Sequence, residues 1–118
     1  MNTIVCSLSD VLPEGYRLRD YIINRVLGQG GFGIAYLATE VLTGHQVVIK
    51  ENYPTKYVLR CADYSVVCRN PAANEIFRKT HESFVKEART LHSLPHHDNI
   101  MGVHAVFDEN GTAYMVLP

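Results

Sequence analysis

The chain is 118 residues long, with 47% hydrophobic residues, 19% charged residues and a formal net charge of −1. That length allows one domain with a modest core, and the composition is ordinary for a soluble globular protein. A charge so near zero gives no support for a nucleic-acid-binding face or a polybasic membrane anchor.

Residues 1–20 read as a leader, with Pro13-Glu14-Gly15 as a turn. They carry no basic segment followed by an apolar run, so a secretory signal peptide is not expected. No apolar stretch in the chain approaches the ~20 residues of a membrane helix. Three β-rich runs are expected within residues 21–51. Tyr21 to Leu27 leads straight into the glycine cluster Gly28-Gln29-Gly30-Gly31-Phe32-Gly33, Ile34 to Thr39 follows, and Gln46 to Lys50 comes after a Thr43-Gly44 turn.

Residues 52–73 form an insert, read as a surface excursion with a small hairpin about Ala62-Asp63-Tyr64 that brings Cys61 opposite Cys68. Asn74 is the expected N-cap of a helix over 74–93. In it Phe77, Phe84, Ala88 and Leu91 share one face of a 3.6-residue period, and Pro95 stops it. Two more strands are expected within 102–117, Val103 to Phe107 and Ala113 to Leu117, joined by a turn at Asn110-Gly111. The fold class is α+β: a five-stranded twisted antiparallel sheet with one main helix.

Three features carry chemistry. Glycines between two strands make a flap whose backbone N–H groups can approach phosphates without Cβ interference. A dinucleotide-binding domain would instead place them between a strand and a helix. Lys50, ending the apolar run Val47-Val48-Ile49, can reach under the flap with its ammonium. Glu87 lies beside the apolar helix face, where a carboxylate can meet Lys50 and fix its direction. Plainer readings stay open at this point: a glycine-rich hairpin turn, a lysine snorkelling from a strand end, and a solvated glutamate beside Lys86 or Arg89.

Taken in order, Leu27-Gly28-Gln29-Gly30-Gly31-Phe32-Gly33, Val48-Ile49-Lys50, Phe84-x-x-Glu87-Ala88, His97-Asp98-Asn99-Ile100 and Ala113-Tyr114-Met115-Val116 resemble a protein-kinase N-lobe. The runs Lys50-Glu51-Asn52-Tyr53-Pro54 and Glu87-Ala88-Arg89-Thr90-Leu91 are similar to a group of bacterial serine/threonine kinases. The resemblance covers residues 21–118. It implies that Gly28, Gly30, Gly31, Phe32 and Gly33 cover the triphosphate of ATP. It implies further that Lys50 pairs with the α- and β-phosphates, that Glu87 orients Lys50, and that Leu27, Ala35 and Val48 line the adenine slot with Leu117 at the gatekeeper position behind it.

Two departures from the family pattern bear on that expectation. The pattern often has valine two residues after the third glycine and alanine two before the lysine, where this chain has Ala35 and Val48. The HRD, DFG and APE motifs do not occur in these 118 residues, so the catalytic lobe is expected to be absent and Mg²⁺ to bind only with it. Pro118, where the family usually carries an acidic residue, lacks an N–H for the hinge. This chain alone is then expected to be inactive, with weak ATP binding. It is also expected to expose the surface that the other lobe would cover, to a protein substrate, a partner lobe or a second copy.

A non-catalytic pseudokinase or regulatory interaction module is the alternative. No metal site is expected, since the adjacent His96-His97-Asp98 lack a fourth ligand at useful spacing. Three cysteines without CxxC spacing suit free thiols in the cytoplasm, the expected location.

Overall fold

The computed structural model describes residues 10–93 and 102–118. In chain order it has β1 (Arg17–Leu18), β2 (Tyr21–Gln29), β3 (Gly33–Glu40), β4 (Gln46–Asn52), β5 (Val58–Arg60), β6 (Val66–Cys68), α1 (Asn74–Ser93), β7 (Ala105–Glu109) and β8 (Thr112–Leu117). The main sheet runs β1-β2-β3-β4-β8-β7 with every pair antiparallel, and β5 and β6 form a sheet of their own. The antiparallel sheet with one helix is the expected architecture, and the sixth strand is the two-residue β1.

Strict alternation splits the central strands between two faces. Ile34, Tyr36 and Ala38 of β3, Val47, Ile49 and Glu51 of β4, and Tyr114 and Val116 of β8 are buried toward one side. There they pack with Leu12, Leu18, Tyr53, Val58 and Val66. The opposite face carries Ala35, Val48, Lys50, Met115 and Leu117. Helix α1 covers part of that second face, with Ala88 buried against Met115 and Leu117 and with Phe84 and Leu91 packed around them. Phe77, expected on the same helix stripe, packs instead against the first cluster.

Four local expectations are corrected. Residues 10–20 of the expected leader are part of the core, because Leu12 and Leu18 are 1% and 0% exposed. The insert is not a surface excursion: Val58, Arg60 and Val66 are buried, so its hairpin closes the first face of the sheet. Cys61 does not face Cys68. Cys68 pairs with Val58, the Cys61 N–H donates to the Ser65 carbonyl, and both thiols are free. Finally, Asn70 rather than Asn74 accepts a capping bond, from the Ala73 N–H at 3.0 Å. Pro71 opens a short 3₁₀ turn, where its missing N–H costs nothing, and Asn74 is already helical.

The Asn110-Gly111 turn joins β7 to β8 with φ of 53° and 76° at its two central residues. A Cβ on Gly111 would lie 2.8 Å from the Val66 carbonyl oxygen, so the turn needs glycine for backbone conformation and for contact. The helix stop at Pro95 and the segment His96 to Ile100 lie outside the described residues.

Candidate functional site

Where β2 turns into β3, the Gly30 N–H donates to the Gly33 carbonyl at 2.9 Å and closes a tight hairpin. Pairing of Gly33 with Asn52, and of Ala35 with Lys50, then aligns the turn with the end of β4. The turn roofs a cavity of about 300 Å³ lined by Gly28, Gly30, Phe32, Gly33, Ala35 and Lys50, closed by Ile34, Glu51 and Phe84. Lys50 points to the exposed face because Ile49 and Glu51 on either side are buried. A second cavity of about 440 Å³ lies alongside, between Phe32 and α1, and Glu87 lines it with Ile76, Lys79 and Thr80.

Most of the expected site residues therefore gather at one place, but the lysine and the glutamate do not meet. Phe32 and Phe84 line both cavities, whereas Lys50 lines one and Glu87 the other. Among the described residues neither forms an ion pair. Val48 and Leu117 are cross-strand partners on the Lys50 face, next to the cavity rather than in its wall. Leu117 is 9% exposed under the helix cluster and Leu27 is 43% exposed at the end of β2. Gly31 sits at the tip and lines neither cavity.

The loop glycines differ in what requires them. A Cβ on Gly33 would come 2.9 Å from the Glu51 carbonyl oxygen, so the neighbouring strand demands glycine there. At Gly28, Gly30 and Gly31 a Cβ would meet nothing within 4 Å, and none of the three has a positive φ. Neither the packing nor the backbone of this chain explains those three.

On the opposite face, directly behind Lys50, is a buried polar cluster that no sequence motif announces. Arg60 donates from Nη2 to Glu51 Oε1 at 2.5 Å, from Nε to the Asp10 carbonyl at 2.9 Å and from Nη1 to the Tyr64 carbonyl at 2.9 Å. The Tyr36 hydroxyl donates to Glu51 Oε1 at 2.8 Å and accepts from the Leu12 N–H, and the Tyr114 hydroxyl donates to Glu51 Oε2. Every buried side-chain polar atom among the described residues has a partner, as a low-dielectric interior requires. Burial works against the Arg60 charge, but the hydrogen bond and charge of Glu51 outweigh it and raise the pKa. Burial first, then the Glu51 charge, push the Tyr36 and Tyr114 hydroxyls well above their ordinary value.

The period-2 pattern does hold a signal for this cluster. With Val47 and Ile49 inward, Glu51 must be inward too, and a buried carboxylate needs a cation. Among the described residues no group of histidine, cysteine and carboxylate side chains could hold a metal ion. No helix there is long and apolar enough to cross a membrane.

No protein-family model matches the chain. Calcium-dependent protein kinases 11 and 4 of Arabidopsis thaliana are each 28% identical to it, over 109 and 111 residues. Those alignments take in 91% and 92% of this chain but 18% and 19% of the relatives, so the chain spans under a fifth of their length. Among solved structures, PpkA-294 in its apo form is 37% identical with a TM-score of 0.87, and the match covers 92% of this chain and 38% of that one. The PknI kinase domain of Mycobacterium tuberculosis matches with a TM-score of 0.58 at 21% identity, over 91% of this chain and 36% of that one.

Proposed function

We propose that this chain, whose fold is that of a protein-kinase N-lobe, is the ATP-binding lobe of a serine/threonine protein kinase. The observation that carries the reading is the open space at Gly28 and Gly30, which line one cavity with Lys50, and at Gly31 on the loop tip beside them. Three residues give up side chains that the protein itself has room for, and two of them, Gly28 and Gly30, line a cavity that Lys50 also lines. A triphosphate fits both facts: loop N–H groups reach its oxygens and the Lys50 ammonium neutralises its charge.

In this reading Ala35 and Val48 border the adenine, with Leu27 at the mouth and Leu117 behind. Glu87 orients Lys50 once the two come together, which requires Phe32 and Phe84 to rearrange. ATP supplies the phosphoryl group; this chain contributes binding and orientation. The general base and the residues that hold Mg²⁺ belong to motifs that do not occur in these 118 residues, so the lobe by itself binds weakly and transfers nothing. The protein substrate, like a partner lobe or a second copy, meets the side of the groove where Phe32 and Ile76 are exposed. The setting is cytoplasmic, which suits the free thiols of Cys61 and Cys68.

Calorimetric titration with ATP and Mg²⁺ tests this, with Lys50→Ala as the control. Binding that the substitution abolishes supports the reading. A chain that binds no nucleotide is instead the non-catalytic interaction module.

A further inference from the structure

The glycine loop is not a free flap, because the first residues of the insert are bonded to it. The Tyr53 N–H donates to the Phe32 carbonyl at 3.2 Å, and the Thr55 N–H donates to the Gly31 carbonyl at 3.1 Å. The Thr55 hydroxyl reaches the Gly30 carbonyl at 3.3 Å. Consecutive carbonyls of the loop are thus held by a segment that continues straight on from Lys50, Glu51 and Asn52.

That segment is itself anchored. The Tyr53 side chain is fully buried, donates to Asp10 Oδ1 at 3.1 Å and lies 5.1 Å from the Arg60 guanidinium. Arg69 donates from Nε and Nη2 to the Thr55 carbonyl at 3.3 and 3.2 Å. A turn closed by the Tyr57 N–H on the Pro54 carbonyl fixes the chain between them.

We propose that Tyr53-Pro54-Thr55 is a strap that holds the tip of the glycine loop over the phosphate cavity, and that Thr55 is a positioning residue for the nucleotide. The proposal rests on the ATP reading and deepens it. A glycine-rich loop samples many conformations, and a loop already held in its bound form gives up less freedom when the ligand arrives. The strap ties the flap to the insert, and through Tyr53 and Arg60 to the buried cluster behind Lys50.

Thr55→Pro is the informative variant. Thr55 is the second residue of the Pro54–Tyr57 turn, where proline is favoured, so the turn survives while the N–H and the hydroxyl are both lost. Nitrogen-15 relaxation of Gly30, Gly31 and Gly33 in the unliganded chain reads the strap, and titration with ATP and Mg²⁺ reads the positioning. We expect Thr55→Pro to mobilise the loop and weaken ATP about tenfold with little change in thermal midpoint, Thr55→Val to fall between, and Thr55→Ser to restore wild-type behaviour.

A loop as rigid in Thr55→Pro as in the wild type overturns the strap. A mobilised loop with unaltered ATP affinity overturns the positioning role. If the wild type binds no ATP while Thr55→Pro still mobilises the loop, the strap stands and the nucleotide reading falls. Should Thr55→Pro not fold, Thr55→Val makes the same comparison with one bond removed.

Discussion

The Arg60 guanidinium and the Glu51 carboxylate meet at 2.5 Å with neither side chain exposed to solvent, and Glu51 is the residue next to Lys50. The pair joins the insert hairpin to the central strand of the sheet. Arg60→Met leaves the carboxylate buried with tyrosine hydroxyls but no cation, and is expected to cost about 3–5 kcal/mol in urea denaturation. Adding Glu51→Leu should recover part of that loss, since it removes the stranded charge. A single-variant cost below about 1 kcal/mol, the range of exposed pairs, would show that water reaches the site.

The tyrosines around that pair set an alkaline limit. The pKa of Tyr36, Tyr53 and Tyr114 is raised above 10.0, by burial first and then by the charge of Glu51 or, for Tyr53, of Asp10. Between 10.0 and the folded values the unfolded chain has released protons that the native chain keeps. The contribution of these tyrosines to stability is therefore complete below pH 10.0 and falls as pH rises beyond it, by about 1.4 kcal/mol per unit for each such tyrosine. Tyrosinate absorbance and circular dichroism, followed together above pH 10.0, should show these three ionising only with unfolding.

Glycine substitutions should separate folding from binding. Gly33→Ala forces its Cβ against the Glu51 backbone oxygen, and about 1–3 kcal/mol of destabilisation is expected. Gly31→Ala meets open space and should change stability by less than about 0.5 kcal/mol. Thermal melts of the two variants, paired with ATP titrations, read the contrast directly. Weakened nucleotide binding in Gly31→Ala at unchanged midpoint is the expected outcome.

Ala35 and Val48 test whether the proposed adenine slot conserves volume. Ala35 pairs with Lys50 and Val48 lies two residues earlier on the same face, so the two are diagonal neighbours. Ala35→Val and Val48→Ala should each lower ATP affinity, and the double variant should restore it. Failure of the double to do so removes compensation as the reason for the swapped residues.

The antiparallel sheet and its single helix were legible because their patterns are long. Ile34 to Thr39 alternates over a full strand, and Phe84, Ala88 and Leu91 hold the helical period. The hairpin of the insert was expected too, but its burial was not, because each of its strands has three residues, too few for alternation to tell a strand packed on the core from one at the surface. Leu12 and Leu18 were hidden for a related reason: isolated apolar residues near a Pro-Glu-Gly turn carry no period. The separation of Lys50 from Glu87 lay beyond any local pattern, since it depends on where α1 rests against the sheet. Even so, the gathering of Gly28, Gly30, Gly33, Ala35 and Lys50 about one cavity follows from strand order alone.

Sheet order also governs how the molecule comes together during synthesis. β8, the last of these strands in chain order, lies between β4 and β7, and Asn110 just before it links Tyr16, Val66 and Tyr114. Until the residues of β8 leave the ribosome, β4 presents an unpaired edge and the Glu51 carboxylate lacks one of its donors. Closure then joins segments made far apart in time, which is slow compared with forming a hairpin. Nascent chains stalled before Thr112 are accordingly the form most open to strand-to-strand aggregation and to chaperone capture.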